Sequence, residues 1–163
     1  MGTERIATRI AVADAGPLIY LAQLDALFIF SALDTLLIPK AVYDELEVGG
    51  LPDGFERLSY EMVEADSVPA IDTDLDPGET AALSIAIERS AVLLTDDLDA
   101  RNVADEADIE VHGSVGLIAL GYSRELIGQD EAASLMRSLQ SETNLFITDA
   151  VIERGIELLD SQE

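Results

Sequence analysis

The sequence predicts an α/β fold, a mostly parallel sheet with helices on both faces, and three observations carry that expectation. Three short, nearly continuous apolar runs, at residues 9–14 (RIAVAD), 35–38 (TLLI) and 91–95 (AVLLT), read as strands buried on both faces. Segments with helical periodicity separate them, the βαβ alternation that builds parallel sheets. Two of the runs lead directly into aspartates, Asp14 and the pair Asp96 and Asp97, at the strand ends where open α/β sheets bind ligands.

The elements follow in order. After the first run, Gly16 and Pro17 turn the chain into a helix; Pro17 suits a first helical turn, and Leu18, Ile19, Leu21 and Leu24 form the apolar stripe. A second helical piece is expected around residues 27–33. Beyond the 35–38 strand, Pro39 opens a helix through Ala41, Val42, Leu46 and Val48, with Glu45 inside it, and Gly49-Gly50 stops it. Residues 51–76 are the least regular stretch, with Pro52, Gly54 and Pro69 among many acids and one short strand expected at 60–63. At 76–79, D-P-G-E has the capping-box arrangement of N-cap, Pro at N1 and Glu at N3, and opens a helix to about Ser90. The 91–95 strand and its acids lead into a helix through Ala100, Val103 and Ala104. A short strand is expected at 109–111, and then Gly113-Ser114 caps a helix from Val115 to about Leu120. Two last helical patterns, 131–139 and 149–159, are joined by an extended connection at 144–147. One domain is expected, with its core at about residues 9–122 and C-terminal helices within 129–160.

Composition narrows the function. The 163 residues contain no cysteine, which excludes disulfides, thiolate ligands and a cysteine nucleophile, so a metal ion must be held by oxygen or by His112. No apolar run approaches the ~20 residues of a membrane-spanning helix, and residues 1–8 lack the apolar region of a secretory signal, which predicts a cytoplasmic protein with a short frayed lead-in. Thirty-three acids against nine bases leave a net charge of −24, yet mean hydropathy is +0.22 and aliphatic periodicity is dense, so the chain is expected to fold. Lys40 is the single lysine beside eight arginines. This acid-coated composition resembles proteins of extreme halophiles. Such a surface repels itself in dilute buffer, whereas molar salt shortens the Debye length to ~3 Å. The melting temperature is therefore expected to rise between dilute buffer and molar KCl; a midpoint indifferent to KCl would contradict this.

Hard cations such as Mg²⁺ and Mn²⁺ take oxygen ligands, and carboxylates converging from separate elements are the usual protein contribution. Asp14 and Asp97 stand at strand ends; Glu79 in a first helical turn and Glu45 in mid-helix can point over the same edge if their helices flank it. Packed together, these four would repel one another until a cation joined them. Each also has a plainer role: Asp97 and Glu79 as helix caps, Asp14 as a turn former, Glu45 as a solvated acid beside Asp44 and Glu47. His112 is read as structural. Ser84, Ser114 and Thr95 have no histidine at a suggestive spacing, which disfavours a triad hydrolase.

Four blocks in order resemble the PIN-domain family, and most closely a branch near the VapC-type toxins. DAGPLIYL (14–21) is similar to the family's opening strand and turn, with Asp14 as its first acid. IPKAVYDEL (38–46) resembles the second block and sets the helical glutamate at Glu45. GETAALSIA (78–86) resembles the third, with Glu79 where many relatives have Asp. LLTDDLDAR (93–101) resembles the fourth, whose Thr-x-Asp pattern assigns the metal-site aspartate to Asp97, with Asp96 as a neighbour that reaches the metal or the phosphate. The resemblance implies a compact three-layer α/β/α sandwich and Mg²⁺- or Mn²⁺-dependent cleavage of single-stranded RNA. It also implies frequent homodimers and an inhibitory antitoxin partner. Thr95 and Arg101, in the fourth block, are the expected substrate contacts.

Bases to track an RNA backbone are scarce, with Arg101, Arg89, Lys40 and Arg57 as candidates. Recognition would then lean on the metal, on Arg101 and on stacking by Tyr20, Tyr43 or Phe55. The competing reading is a PIN-like binding module whose cleavage activity is lost or unused. A phosphoacceptor receiver domain needs a lysine late in the chain, and Lys40 is misplaced for that.

Overall fold

The computed structural model describes residues 9–65 and 75–160. The expected lead-in at 1–8 and the acid-rich stretch around Pro69 lie outside them. Within the described residues the order is β1 (Ile10–Ala13), α1 (Ala15–Gln23), a 3₁₀ segment (Leu27–Ala32), β2 (Thr35–Pro39), α2 (Lys40–Val48), a 3₁₀ turn (Phe55–Arg57), β3 (Glu61–Val63), α3 (Pro77–Arg89), β4 (Val92–Leu94), α4 (Leu98–Glu106), β5 (Val111–His112), α5 (Ser114–Ser123), α6 (Gln129–Glu142) and α7 (Asp149–Asp160).

The five strands form one sheet in the order β3-β2-β1-β4-β5, and every pairing is parallel. Alternation along the strands separates two cores. Ala11, Ala13, Leu36, Ile38 and Leu94 face α1, α5, α6 and α7, where Leu18, Leu21, Leu117, Ile118, Met136 and Leu139 are buried. Val12, Leu37 and Leu93 face the other way, against Ala82, Leu83, Ile85 and Ala86 of α3 and Ala104 of α4. Both faces are therefore apolar, which explains why the strands read as continuous hydrophobic runs. At ~1.5–3 kcal/mol for each large aliphatic side chain removed from water, these two layers dominate the stability.

Local chemistry sets the element ends. The capping box forms as expected: Asp76 Oδ1 accepts from the Glu79 amide (2.8 Å), Glu79 Oε1 accepts from the Asp76 amide (3.1 Å), and Pro77 occupies N1. Two expectations are corrected. Pro39 ends β2 and caps α2 from outside rather than opening its first turn, because its extended ψ of 142° continues the strand. Gly113, not Ser114, is the N-cap of α5, and Ser114 is its first residue. The 144–147 connection lies outside the strands and helices. α7 reaches α5 and α6 at Gly155, where an added Cβ would stand 2.6 Å from Val115 Cγ1 and 3.1 Å from the Met136 sulfur. Only glycine allows that approach. Among the described residues, no helix is long and apolar enough to cross a membrane.

Candidate active site

Strand order reverses at β1: the chain builds outward through β2 and β3, then returns to place β4 and β5 on the other side. The crevice at the carboxyl ends of β1 and β4 is thus the switch point, where such sheets bind ligands. Asp14 follows β1 there, tied across by its amide to Leu94 O (2.9 Å). Its carboxylate is 7% exposed; Oδ1 accepts from the Ala15 amide (2.8 Å) at the start of α1, and Oδ2 accepts from the Thr95 hydroxyl (2.9 Å). Burial pushes the Asp14 carboxyl up to about 6, opposed by those two donors and reinforced by the negative charges of Asp76 and Glu45.

Thr95 is buried, with 1% exposure. Its hydroxyl donates to Asp14 while accepting from the Asp97 amide (3.2 Å), so one oxygen joins the two strand-end aspartates. This corrects the expected substrate contact: Thr95 acts through Asp14. Asp97 Oδ2 caps α4 by accepting from the Ala100 amide (2.9 Å).

Glu79 and Glu45 come from the flanking helices. Glu79 is held by the capping box, and burial raises its carboxyl to about 7; the Asp76 N–H lowers it, while Asp76, Asp14 and Asp97 raise it. Glu45 projects from α2 against the first turn of α3: a Cβ on Gly78 would lie 2.7 Å from Glu45 Oε1 and 3.5 Å from Asp76 Oδ1. Partial desolvation and then Asp76 raise the Glu45 carboxyl as well.

Asp96 serves α5. Its Oδ1 accepts from the Ser114 amide (2.8 Å) and its Oδ2 from the fully buried Ser114 hydroxyl (2.6 Å). Burial raises its pKa even so, against the Ser114 donors and the Arg101 charge. Gly113 makes room: a Cβ there would fall 2.5 Å from Asp96 Oδ1 and 2.6 Å from Arg101 Nη1. Arg101 Nη1 donates to Thr95 O (3.4 Å). Among the described residues lining the acid cavity, Arg101 does not appear. Phe55 is also corrected, since it is buried between Tyr43 and Tyr60 with ring centroids 6.1 and 5.3 Å away.

Asp14, Glu45, Glu79 and Asp97 line one cavity of about 320 Å³, joined by Asp76 and Asp96. Ile19, Tyr20 and Leu145 supply its apolar wall, and among the described residues its lining contains no lysine, arginine or histidine. Sequence reasoning placed Asp76 only as a cap and missed Leu145; the D-P-G-E motif signalled the former, since Asp76 opens the same helix as Glu79. Several helix N-termini meet here, capped by Asp14, Asp76 and Asp97, and their partial positive charge offsets some of the acid repulsion. The all-oxygen donor set fits a hard divalent cation. Among the described residues, no group of three or more Asp, Glu or His side chains is already arranged to hold a metal ion.

A parallel sheet in this order, flanked by helices and with acids at its switch point, defines a PIN-type α/β fold. The chain belongs to the PIN domain family designated DUF3368, which it matches over residues 10–161. PIN domains are generally metal-dependent nucleases. Among solved structures, the chain is similar to a PilT N-terminus domain protein from the hyperthermophilic archaeon Sulfolobus solfataricus P2, at 19% identity with a TM-score of 0.57, covering 69% of this chain and 92% of the other. That likeness bears on the fold alone. No curated protein matches the sequence.

Proposed function

We propose that this protein is a Mg²⁺- or Mn²⁺-dependent endoribonuclease acting on single-stranded RNA. The observation that carries the reading is the convergence of Asp14, Glu45, Glu79 and Asp97 on one cavity at the sheet's switch point. These four would hold the cation, with Asp96 bracing the turn beside them. A bound divalent ion supplies Lewis acidity toward the phosphodiester and activates water for in-line displacement. The protein's residues do the positioning. Thr95 fixes Asp14 relative to Asp97, the capping box fixes Glu79, and Asp96 with Ser114 fixes the turn that carries both Thr95 and Asp97. Because no basic side chain among the described residues lines the cavity, neutralising the substrate phosphate would fall to the ion. The resemblance of the four sequence blocks to VapC-type toxins extends the proposal to a cytoplasmic toxin, homodimeric and held by an antitoxin.

The test is incubation of labelled single-stranded RNA with the protein in molar KCl and Mn²⁺. Cleavage is expected, abolished by EDTA and by Asp97→Asn. Equal cleavage by the variant would expose a contaminant and remove the support. A second reading, a binding module with the fold but without the activity, is favoured by one observation: the acids are not already gathered around an ion position. Absence of cleavage by the wild-type protein across Mg²⁺ and Mn²⁺ would decide for it.

A further inference from the structure

We infer that Tyr20 is the stacking platform for a base of the RNA strand, on the apolar side of the acid cavity. This rests on the nuclease reading and deepens it. Of the three aromatics that the sequence offers for stacking, Phe55 is buried and Tyr43 packs beside it, whereas Tyr20 lines the cavity. Asp14 caps α1, and Gly16 and Tyr20 follow on one face of that helix, four residues apart. A helical side chain leans over the turn that precedes it, and at Gly16 no side chain stands in the way. A Cβ built there would lie 3.4 Å from Tyr20 Cε2 and 3.9 Å from Asp96 Oδ2. The ring edge and the Asp96 carboxylate thus come close to one point over the first turn of α1. Burial, and then the negative charges of Asp96 and Asp14, raise the phenol's pKa, so the ring stays neutral beside the acids.

The cavity has two chemistries. Acids supply one; half-buried Ile19, Tyr20 and Leu145 supply the other. An RNA strand has two as well, phosphate and base face. With a net charge of −24 and no basic residue among the described residues of the lining, phosphate is held only through the ion, which leaves little affinity from the backbone. Base faces carry no charge and stack on aromatic rings with little regard to sequence. Tyr20 is prepared for such a partner, being packed in part on the main core. A tyrosine also has only two side-chain torsions to fix, so little ordering remains when a base arrives. With the scissile phosphodiester at the acids, a flanking base lies on Tyr20, and Ile19 and Leu145 extend the apolar surface around it.

Steady-state cleavage of single-stranded RNA in molar KCl with Mn²⁺ tests this, comparing wild type, Tyr20→Phe and Tyr20→Leu on the intact strand and on strands lacking the base on one or the other side of the mapped cut. Leucine keeps apolar bulk against the core and removes the aromatic face; a thermal melt of each protein checks its folding. Tyr20→Leu is expected to raise KM by about 5- to 150-fold, the range for loss of one base–aromatic stack, with kcat within about twofold. Tyr20→Phe should match wild type. Deleting the stacked base should raise the wild-type KM by a similar factor and add little to Tyr20→Leu, because the two changes remove one contact. An unchanged KM in Tyr20→Leu overturns the inference and leaves the nuclease reading intact. So does a fall in kcat alone, which would make the ring a support for the acids, and so does a Tyr20→Phe protein as impaired as Tyr20→Leu, which would assign the contact to the hydroxyl. If Tyr20→Leu does not fold, a wild-type KM indifferent to base deletion on both sides of the cut overturns the inference by itself. Failure of the wild type to cleave any RNA removes the nuclease reading, and this inference with it.

Discussion

Asp14→Asn is expected to lower RNA cleavage by ~10²-fold or more and, in the same protein, to raise the cation-free melting temperature at pH 7. The activity loss follows because a metal-centred nuclease loses several kcal/mol of transition-state stabilisation when a central carboxylate no longer carries charge. The gain in stability follows from burial. Asp14 is nearly inaccessible, and its carboxyl is raised from 3.8 to about 6, so holding it ionised in the folded state at neutral pH costs about 3 kcal/mol. Asparagine removes that charge and keeps the shape. Its carbonyl oxygen can still accept from the Ala15 amide, and its amide group can donate to the Thr95 hydroxyl, which already accepts from the Asp97 amide; the Thr95 proton then loses its Asp14 acceptor, which offsets part of the gain. A chain of this length gains roughly 2–4 °C per kcal/mol, so a rise of several degrees is the expected calorimetric result. An Asp14→Asn protein that melts below wild type in EDTA at pH 7 would show that the carboxylate is not held at a penalty, and the case for a cation-hungry site would weaken accordingly.

The same double character explains how much of this site could be read from the sequence. The strands were legible because both faces of the sheet are covered, which leaves Ala11, Val12 and Ala13 or Leu36, Leu37 and Ile38 no polar alternation to obscure them. The capping box was legible because its partners are three residues apart. For Asp14, Glu79 and Asp97, the capping role does not compete with the proposed site. Each caps or buttresses a helix start, and those starts converge on the cavity. Long-range pairings were not legible. Ser114 lies 18 residues from Asp96, and Thr95 lies 81 from Asp14, so a local reading took the one for a helix cap and the other for a substrate contact. Leu145 reaches the cavity only because α6 and α7 fold back over α5 and α1, a packing that helical periodicity alone does not orient.

Proton linkage gives the second large effect. Both Asp14, at about 6, and Glu79, at about 7, have folded-state pKa values above their ordinary 3.8 and 4.5. A carboxyl raised in this way favours folding fully below its unfolded value, and that contribution is lost as pH rises through the folded value. Without a divalent ion, stability in molar KCl is therefore expected to fall between about pH 4 and pH 7 and then level off. Asp14 accounts for about 3 kcal/mol of this; Glu79 adds less than its shift suggests, because it is partly exposed and screened. The cation reverses the trend, since its ligands must be deprotonated and its binding releases protons. Mn²⁺ at a hundredfold excess over its dissociation constant stabilises the folded protein by ~2.7 kcal/mol. Its effect on the melting temperature should be small at pH 5, large at pH 8 and strongly reduced in Asp14→Asn. Using molar KCl throughout holds surface repulsion down, and the variant corrects for what repulsion remains. Equal Mn²⁺ stabilisation at pH 5 and pH 8 would place the ion on the acidic surface at large rather than in the cavity, because only buried, proton-holding carboxylates tie cation affinity to this pH window.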